Sequence, residues 1–534
     1  MQAEPTTSAA PPRPGGSRPP AGGAPISSRQ RRLGLGGLAL ILLGRLLLQI
    51  QLYRGGFLSL TADEFLRVEL AARWARAPRL IWSGVWVPFH EYMFGALLRL
   101  RWDLVYLPRY ATMAFGFLSI ALIYAIALRL SRSPAAALLS ALLAAANPAH
   151  VWLSSTPLTE MPYVACVLLA MLGLARYAEE RRPGWLWLGA GALACAQGLR
   201  FEAWVVAAAF AGLLWLGAAR DRSAAPGERG WRRAALATAL LAAFPAAWMA
   251  GSYLALGDPL ASIGMATQYK ADWYGPGKDY ARYATTLLRL DPLLLPTLLL
   301  GGLALLVWKD RRREHAWLAA LVFAPIAAFV ALHGGQPEPS GNDIRYLAAL
   351  TLPGYAFAGM ALLAAARRLP LPQLRGLLLV AALLAVGRNV RASLDPPPDP
   401  SSRGLAVGLA LEGALAGGET AVVERVYLEF LAVSVGADSD PALLYDRPVN
   451  WDTRVSETIF APARPADQIR SCLAQREVGL VFARTPAVIA VVEQTVGLAP
   501  QETVNGYRMY RIAPAQRAEW RRLPACQLGF YPAI

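Results

Sequence analysis

The sequence predicts an α-helical polytopic membrane protein with about eleven transmembrane helices, followed by a C-terminal extracytoplasmic α/β domain. Three observations carry this reading. Hydrophobic residues make up 55% of the 534 positions and charged residues only 16%, too little charge to cover a soluble protein of this size, and mean hydropathy is +0.36. Apolar segments of about 17–25 residues recur, the length that crosses a ~30 Å hydrocarbon core. This pattern stops near residue 390, where "DPPPDP" (395–400) forms a stiff linker into shorter, strand-like runs.

Residues 1–32 are rich in Pro, Gly, Ser and Ala without an apolar run, and read as a disordered tail. They are too long and polar to open an ordinary signal peptide. The transmembrane domain spans 33–390, with helices expected at 33–52, 105–129, 134–152, 161–177, 185–199, 203–219, 234–255, 287–308, 316–333, 345–366 and 374–390. Residues 185–218 could be one helix, but it would be about 51 Å long at 1.5 Å per residue. Two short helices broken at "GLRFE" fit the membrane better. They also keep the next arginine cluster on the same side as the others.

The formal net charge of +16 is almost all arginine, with Lys270, Lys278 and Lys309 the only lysines. In a membrane protein, basic charge reports orientation. Arg29, Arg31 and Arg32 precede the first helix. Further clusters follow the second (Arg129, Arg132), fourth (Arg181, Arg182), sixth (Arg222, Arg229), eighth (Arg311, Arg312) and tenth (Arg367, Arg368) helices. These connections alternate, so they are cytoplasmic. The expectation is a multi-pass inner or plasma membrane protein with its N-terminus inside and its C-terminus outside. The sequence carries no nucleic-acid motif, and no nucleic-acid partner is expected.

The outer side then carries a first loop (53–104), a second (256–286) and everything after 390. In the soluble domain, 391–534, the runs "TAVVERVYLEFLAV", "VGLVFAR" and "GYRMYRI" read as strands or short helices of a small α/β unit. Cys472 and Cys526 would lie in an oxidising space, where a pair and two free thiols both stay open. Cys166 and Cys195 fall in membrane segments and read as small core residues.

Polar groups collect on that outer side. In "TADEFLRVELAARW", Thr61 and Glu64 form a capping-box pattern. Leu66, Leu70 and Trp74 then line one stripe of an amphipathic helix expected to lie along the outer membrane face, and Glu69 can pair with Arg73. Capping gives Glu64 a sufficient structural job. Asp63, with only a weak charge preference for the helix start, has duty left over. Further on come His90 and Glu91 in "VPFHEYM", Glu160 in "STPLTEMPY", Arg200 and Glu202 at the helix break, Lys270 and Arg282 in the second loop, and Arg345 and Tyr346 in "DIRYLAALTLP". Each alone reads equally well as a solvated loop residue. Their convergence on one face brings together acids for proton transfer and cations for phosphate. Adjacent His90 and Glu91 are not a metal signature; no cofactor is assigned, and a divalent metal stays open.

At these motifs the chain resembles the GT-C superfamily of membrane glycosyltransferases. The likeness is to the branch of protein O-mannosyltransferases and the lipid A aminoarabinose transferase. The resemblance rests on "ADEFLRVELAARW", "VWVPFHEYMFGALL", "STPLTEMPY" with "GLRFEAWV", and "DIRYLAALTLP", and covers about 33–366. The chain departs from the protein mannosyltransferases in lacking an intervening MIR-type β-domain, and from oligosaccharyltransferases in lacking their Trp-Trp-Asp signature. The resemblance implies an inverting transfer of a sugar from a polyprenyl-phosphate donor to a lipid, glycan or protein acceptor at the outer face. It implies Asp63 as the base, and the other residues named as substrate-binding. The rival readings are a transporter or flippase for a lipid-linked sugar, whose charges belong near the midplane, and a non-catalytic binding subunit of the same fold.

Overall fold

Helix starts are written into the sequence as caps. In the computed structural model, Ser27 and Gln30 form a reciprocal capping box that opens α1 (Ser28–Arg54). Ser133 caps α5 (Pro134–Ala146), and Asn147 accepts from the His150 amide at 2.9 Å to open α6 (Pro148–Leu153). Both of these helices carry proline at their first position, where no amide hydrogen is needed. The structure describes residues 27–220, 229–274, 313–333, 343–426, 428–446, 458–526 and 531–532, with Ala281, Thr285, Leu288 and Asp291.

The remaining helices of the first part are α2 (Asp63–Arg76), α3 (Phe89–Leu100), α4 (Leu107–Ser131), α7 (Glu160–Glu180), α8 (Pro183–Leu199), α9 (Glu202–Arg220), α10 (Arg229–Leu256) and α11 (Ala261–Tyr274). They are followed by α12 (Arg313–His333), α13 (Asp343–Thr351), α14 (Tyr355–Arg368) and α15 (Pro372–Ser393). Seven helical spans among the described residues are long and apolar enough to cross a membrane. Shorter apolar helices, α5 and the Trp317–Ala331 part of α12, stand beside them. The expected helix over 287–308 lies outside the described residues, Leu288 and Asp291 apart.

Two expected helices are broken. The segment over 134–152 divides at Asn147–Pro148, and that over 345–366 divides at Leu352–Gly354, a single 3₁₀ turn containing Pro353. Proline removes an amide donor in each case. The break expected at "GLRFE" is present: Arg200 has extended backbone between α8 and α9. The main apolar core gathers α4, α7, α8, α9, α10, α12, α13 and α14. Small residues permit close helix approach there, as in many membrane bundles. Gly359 of α14 lies against the Ala136 carbonyl and Ser140 of α5, and a side chain at that position would collide with both.

After the linker, α16 (Arg403–Ala416), α17 (Glu429–Gly436) and α18 (Ala466–Gln475) pack around a six-stranded sheet. Its strands are β1 (Thr420–Val423), β2 (Leu443–Tyr445), β3 (Val478–Ala483), β4 (Glu502–Val504), β5 (Tyr507–Arg511) and β6 (Tyr531–Pro532), in the order β4-β5-β3-β1-β2-β6. β1 runs parallel to both β2 and β3, with Ala421 beside Leu443 and Leu480. Every residue of β3 is buried, as parallel strands covered on both faces require. A disulfide joins Cys472 of α18 to Cys526.

One core cluster joins this sheet to the first loop. Phe65, Val68, Ala71 and Ala72 of α2 and Phe94 and Leu98 of α3 pack with Leu405, Leu411, Phe430, Val433 and Tyr445. α2 thus packs on the sheet domain through these residues, while Leu66, Leu70 and Trp74 of the expected stripe are half-buried. Its Glu69 feels the charge of Arg73 but bonds across to the sheet domain. The Glu69 carboxylate accepts from the Ser439 hydroxyl at 2.8 Å and from that of Ser434. A helix covered on a second side buries its polar residues too.

Candidate active site where three helices begin

Three acids stand at the first position of three helices: Asp63 on α2, Glu160 on α7 and Glu202 on α9. A carboxylate there is favoured by the helix dipole and the free amide groups. Arginines face them. Arg200, in the extended break before α9, donates to Glu160 Oε1 at 2.7 Å and to Glu202 Oε1 at 2.8 Å. Arg345, in the first turn of α13, pairs with Asp63 and donates to the Tyr346 hydroxyl at 2.9 Å. Its Nε lies 3.9 Å from Glu160 Oε1. Arg345 sits at the positive end of a helix, where a cation is disfavoured, so the carboxylates around it must hold it there.

Tyr346 lies between the two arginines, its ring 4.8 Å from the Arg345 guanidinium and 5.1 Å from that of Arg200. Cations over an aromatic face are partly stabilised by the ring. Burial separates the members. The Asp63 side chain is 22% exposed, against 2% for Glu160, 5% for Arg200 and 6% for Arg345. Asp63 is thus the member of the cluster that solvent, or a substrate, reaches most readily.

Glu64 has other partners. Its Oε1 accepts from the Leu60 amide at 2.7 Å and the Thr61 amide at 3.4 Å. Half of the anticipated capping box is therefore present; Thr61 Oγ1 meets the Asp63 amide at 3.5 Å instead of that of Glu64. Burial pushes the Glu64 carboxyl up to about 8, with Arg109 opposing the shift and Asp399 adding to it.

His90, at the start of α3, is fully buried, with Nδ1 3.1 Å from the Val87 carbonyl. Burial drives its pKa well below the usual imidazole range, and the nearby Arg67 adds to this. Glu91 is raised to about 7 by burial, against the pull of Arg67, Arg79 and Arg73. Lys270 belongs to α11, but its side chain lies outside the described residues, as does Arg282. Among the described residues no group of three His, Cys, Asp or Glu gathers as metal ligands.

Sequence reasoning missed Arg67. It is 7% exposed, its guanidinium lies 4.3 Å above the Trp86 ring, and Glu160, Asp63, Arg345 and Arg200 all act on its charge. Among the described residues its Nε and Nη1 have no hydrogen-bond partner. The available signal was its spacing: Arg67 follows Asp63 by four positions on α2 and shares its face. Chemically, the cluster joins a reachable carboxylate to buried guanidiniums suited to phosphate oxygens.

A family model described as dolichyl-phosphate-mannose-protein mannosyltransferase matches residues 105–251, which include Glu160, Arg200 and Glu202. Comparison with curated protein sequences finds no match. Among solved structures, apo ArnT from Cupriavidus metallidurans is similar at 12% identity and a TM-score of 0.59, over 91% of this chain and 99% of that one. The form of ArnT bound to undecaprenyl phosphate is similar at 13% identity and TM-score 0.58, over 90% and 99%. The Archaeoglobus fulgidus oligosaccharyltransferase in its apo form is similar at 14% identity and TM-score 0.52, over 86% and 70%. At these identities the likeness is one of fold, and that fold is GT-C.

Proposed function

We propose that this GT-C-type membrane protein is an inverting glycosyltransferase that moves a sugar from a polyprenyl-phosphate donor to an acceptor hydroxyl. The observation that carries the reading is the ion pair between Asp63 and Arg345 beside the Glu160–Arg200–Glu202 network. The ArnT structure with undecaprenyl phosphate supports the donor class. The family model over 105–251 supports the reaction class.

The donor phosphate competes with Asp63 for Arg345. When phosphate oxygens take the guanidinium, the Asp63 carboxylate is released toward the acceptor. It accepts the acceptor's hydroxyl proton as that oxygen bonds to the anomeric carbon. The bond from the anomeric carbon to the phosphate oxygen breaks on the opposite face, which inverts the configuration. The electron pair leaves with the polyprenyl phosphate, and Arg345, with Arg67 and Arg200 behind it, stabilises the growing charge. Lys270 and Arg282 are further candidates for the phosphate. His90, Glu91 and Tyr346 are candidates for substrate contacts, and Glu64 holds the turn that presents Asp63. The acceptor is a lipid, glycan or protein.

The site belongs at the outer face of the cytoplasmic membrane, with the sheet domain on the same side, because the arginine clusters alternate. Reporter fusions after Gly184 and Arg229 are expected to be cytoplasmic, and a fusion after Asp399 external; a cytoplasmic signal from the last reverses the orientation. The test of the activity is to incubate the purified full chain with undecaprenyl-phosphate mannose, glucose, arabinose and aminoarabinose. Release of undecaprenyl phosphate from one donor is expected. No release from any of them, with extracts of lipid, glycan and peptide acceptors present, would count against the reading.

A further inference from the structure

Most of α1 faces outward. Leu40, Leu43, Leu47 and Ile50 are exposed, and its buried residues are Gly34, Arg45, Gln49 and Leu52. An arginine buried within an apolar span is costly unless it is satisfied. Arg45, Gln49 and Tyr53 recur every four residues and so form one stripe along the helix. All three reach the end of the short helix α6. Arg45 Nη2 donates to the carbonyls of His150 and Val151, each at 3.3 Å. Gln49 Nε2 donates to the Ser155 hydroxyl, and the Tyr53 hydroxyl donates to the Ser155 carbonyl at 3.0 Å. The last carbonyls of a helix lack partners within it and carry its negative end. Here the His150 carbonyl already takes the Ser154 amide at 3.1 Å and the Val151 carbonyl the Ser155 hydroxyl at 2.7 Å, and the stripe adds further donors, one of them a cation, to that end. Leu52 packs on Val151 and Trp152 beside it.

Both ends of this contact lead to the charge cluster. Beyond Ser155, buried Thr156 bonds back to the Trp152 carbonyl at 3.3 Å, the Leu158 amide closes on the Thr156 carbonyl at 2.7 Å, and Glu160 opens α7. Beyond Tyr53, the amides of Gly55, Gly56 and Phe57 bond back to α1 at 2.9–3.3 Å. Gly56 has a φ of +85°, a turn that glycine adopts freely. Arg109 holds the Leu58 carbonyl at 2.9 Å, Glu64 holds the amides of Leu60 and Thr61, and Asp63 opens α2. Two short, hydrogen-bonded connections thus run from one stripe to two of the acids.

We propose that Arg45, Gln49 and Tyr53 are positioning residues that set Glu160 and Asp63 at matching depth, so that Arg345 can serve both. The stripe touches no substrate. It acts by fixing the segment Ser154–Glu160 against the helix from which Asp63 continues. This rests on the transferase reading above for its effect on turnover, but not for its effect on the segment itself.

The test uses the full-length Gln49→Leu/Tyr53→Phe double variant, with Tyr53→Phe alone as the variant certain to fold and Leu47→Ala on the outward face as the control. Hydrogen exchange of the peptide covering 154–160 and steady-state kinetics with the donor that the wild type consumes are both measured. The expected result is faster exchange in that peptide together with a kcat about tenfold to a hundredfold lower, the scale of a small misplacement. The donor KM should stay near its wild-type value, and the control should match wild type in both readouts. A general structural defect would instead speed exchange across the protein and lower the active fraction. Wild-type kcat in the double variant, or lowered kcat without faster exchange in 154–160, overturns the proposal. If the wild type consumes no donor, the transferase reading falls, and unchanged exchange at 154–160 would by itself overturn the anchor.

Discussion

Two buried charge networks in this molecule look alike in composition and differ in how completely they are satisfied. In the sheet domain, Glu424 follows β1 and accepts from the amides of Arg484 and Thr485 at 2.6 and 2.8 Å and from the Thr485 hydroxyl at 2.5 Å. Asp446, after β2, accepts from the Arg425 amide at 2.8 Å and from the Thr458 hydroxyl. These carboxylates tie loop backbone to strand ends. In the helical cluster, the partners of Asp63, Glu160 and Glu202 are guanidiniums. Asp63 is partly exposed, and among the described residues two buried nitrogens of Arg67 have no hydrogen-bond partner. A carboxylate bonded to several backbone amides is fixed and committed to the fold. We propose that one paired with a guanidinium can exchange that partner for an incoming phosphate. On the proposed function, the first network serves stability and the second serves chemistry.

The contrast breaks most sharply at Asp63. Asp63→Asn is expected to keep the fold, because asparagine is isosteric and suits a helix start, yet to lose donor turnover at least about a hundredfold, the contribution of a positioned base. Size-exclusion profile and initial rate, compared with wild type, check this. Next comes Arg345→Ala, for which loss of a charge-assisted bond of about 1.5–3 kcal/mol predicts roughly a tenfold to hundredfold weaker use of donor. Arg345→Lys should recover only part of it, since an ammonium lacks the planar fork. Wild-type donor kinetics in Arg345→Ala would leave that residue with a purely structural role.

Glu424→Ala should behave oppositely. It leaves two buried amides without partners, which costs about 1–3 kcal/mol, so its unfolding midpoint should fall while kcat and donor KM hold at temperatures where it is folded. The last effect concerns Glu64 and falls on stability alone. Its carboxyl is held at about 8 against an ordinary 4.5. A raised acid contributes stability that is fully present below its unfolded pKa and is lost as pH rises through its folded pKa. Wild type should therefore lose stability between about pH 4.5 and 8. Glu64→Gln, which keeps an acceptor for Leu60 and Thr61, should melt a few degrees higher than wild type at pH 8.5 and close to it at pH 5. Parallel melting curves of the two proteins across that range would contradict the assignment.

Much of this was legible in the sequence, for local reasons. Apolar runs of membrane length and "GLRFE" at a break are properties of a few neighbouring residues, and the helices obey them, whereas sequence reasoning missed the cap at Asn147 that divides the run expected over 134–152. The strand runs at 478–484 and 506–512 likewise carry their own signal. The environment of α2 was not legible. Phe65, Val68 and Ala72 show that the helix has an apolar side, but no local feature says that a domain more than 300 residues later packs on it. That packing buries Glu69 and gives it Ser434 as a partner, while Arg67 lies over Trp86 of the first loop and faces the charge cluster. The stripe at Arg45, Gln49 and Tyr53 was hidden in a different way. Its spacing stands in the sequence, but its meaning depends on α6 ending after Leu153, which leaves the His150 and Val151 carbonyls at a helix end.

The central claim is that donor phosphate and Asp63 compete for Arg345, and the affinity of undecaprenyl phosphate for wild type and for Asp63→Asn tests it most directly. Titration of the purified proteins in nanodiscs is expected to give binding to Asp63→Asn at least as tight as to wild type, because removing the competing carboxylate charge frees the guanidinium, while the same variant turns over no donor. Binding to Asp63→Asn that is clearly weaker than to wild type would contradict the exchange of partners and leave Asp63 as a structural support for the phosphate site.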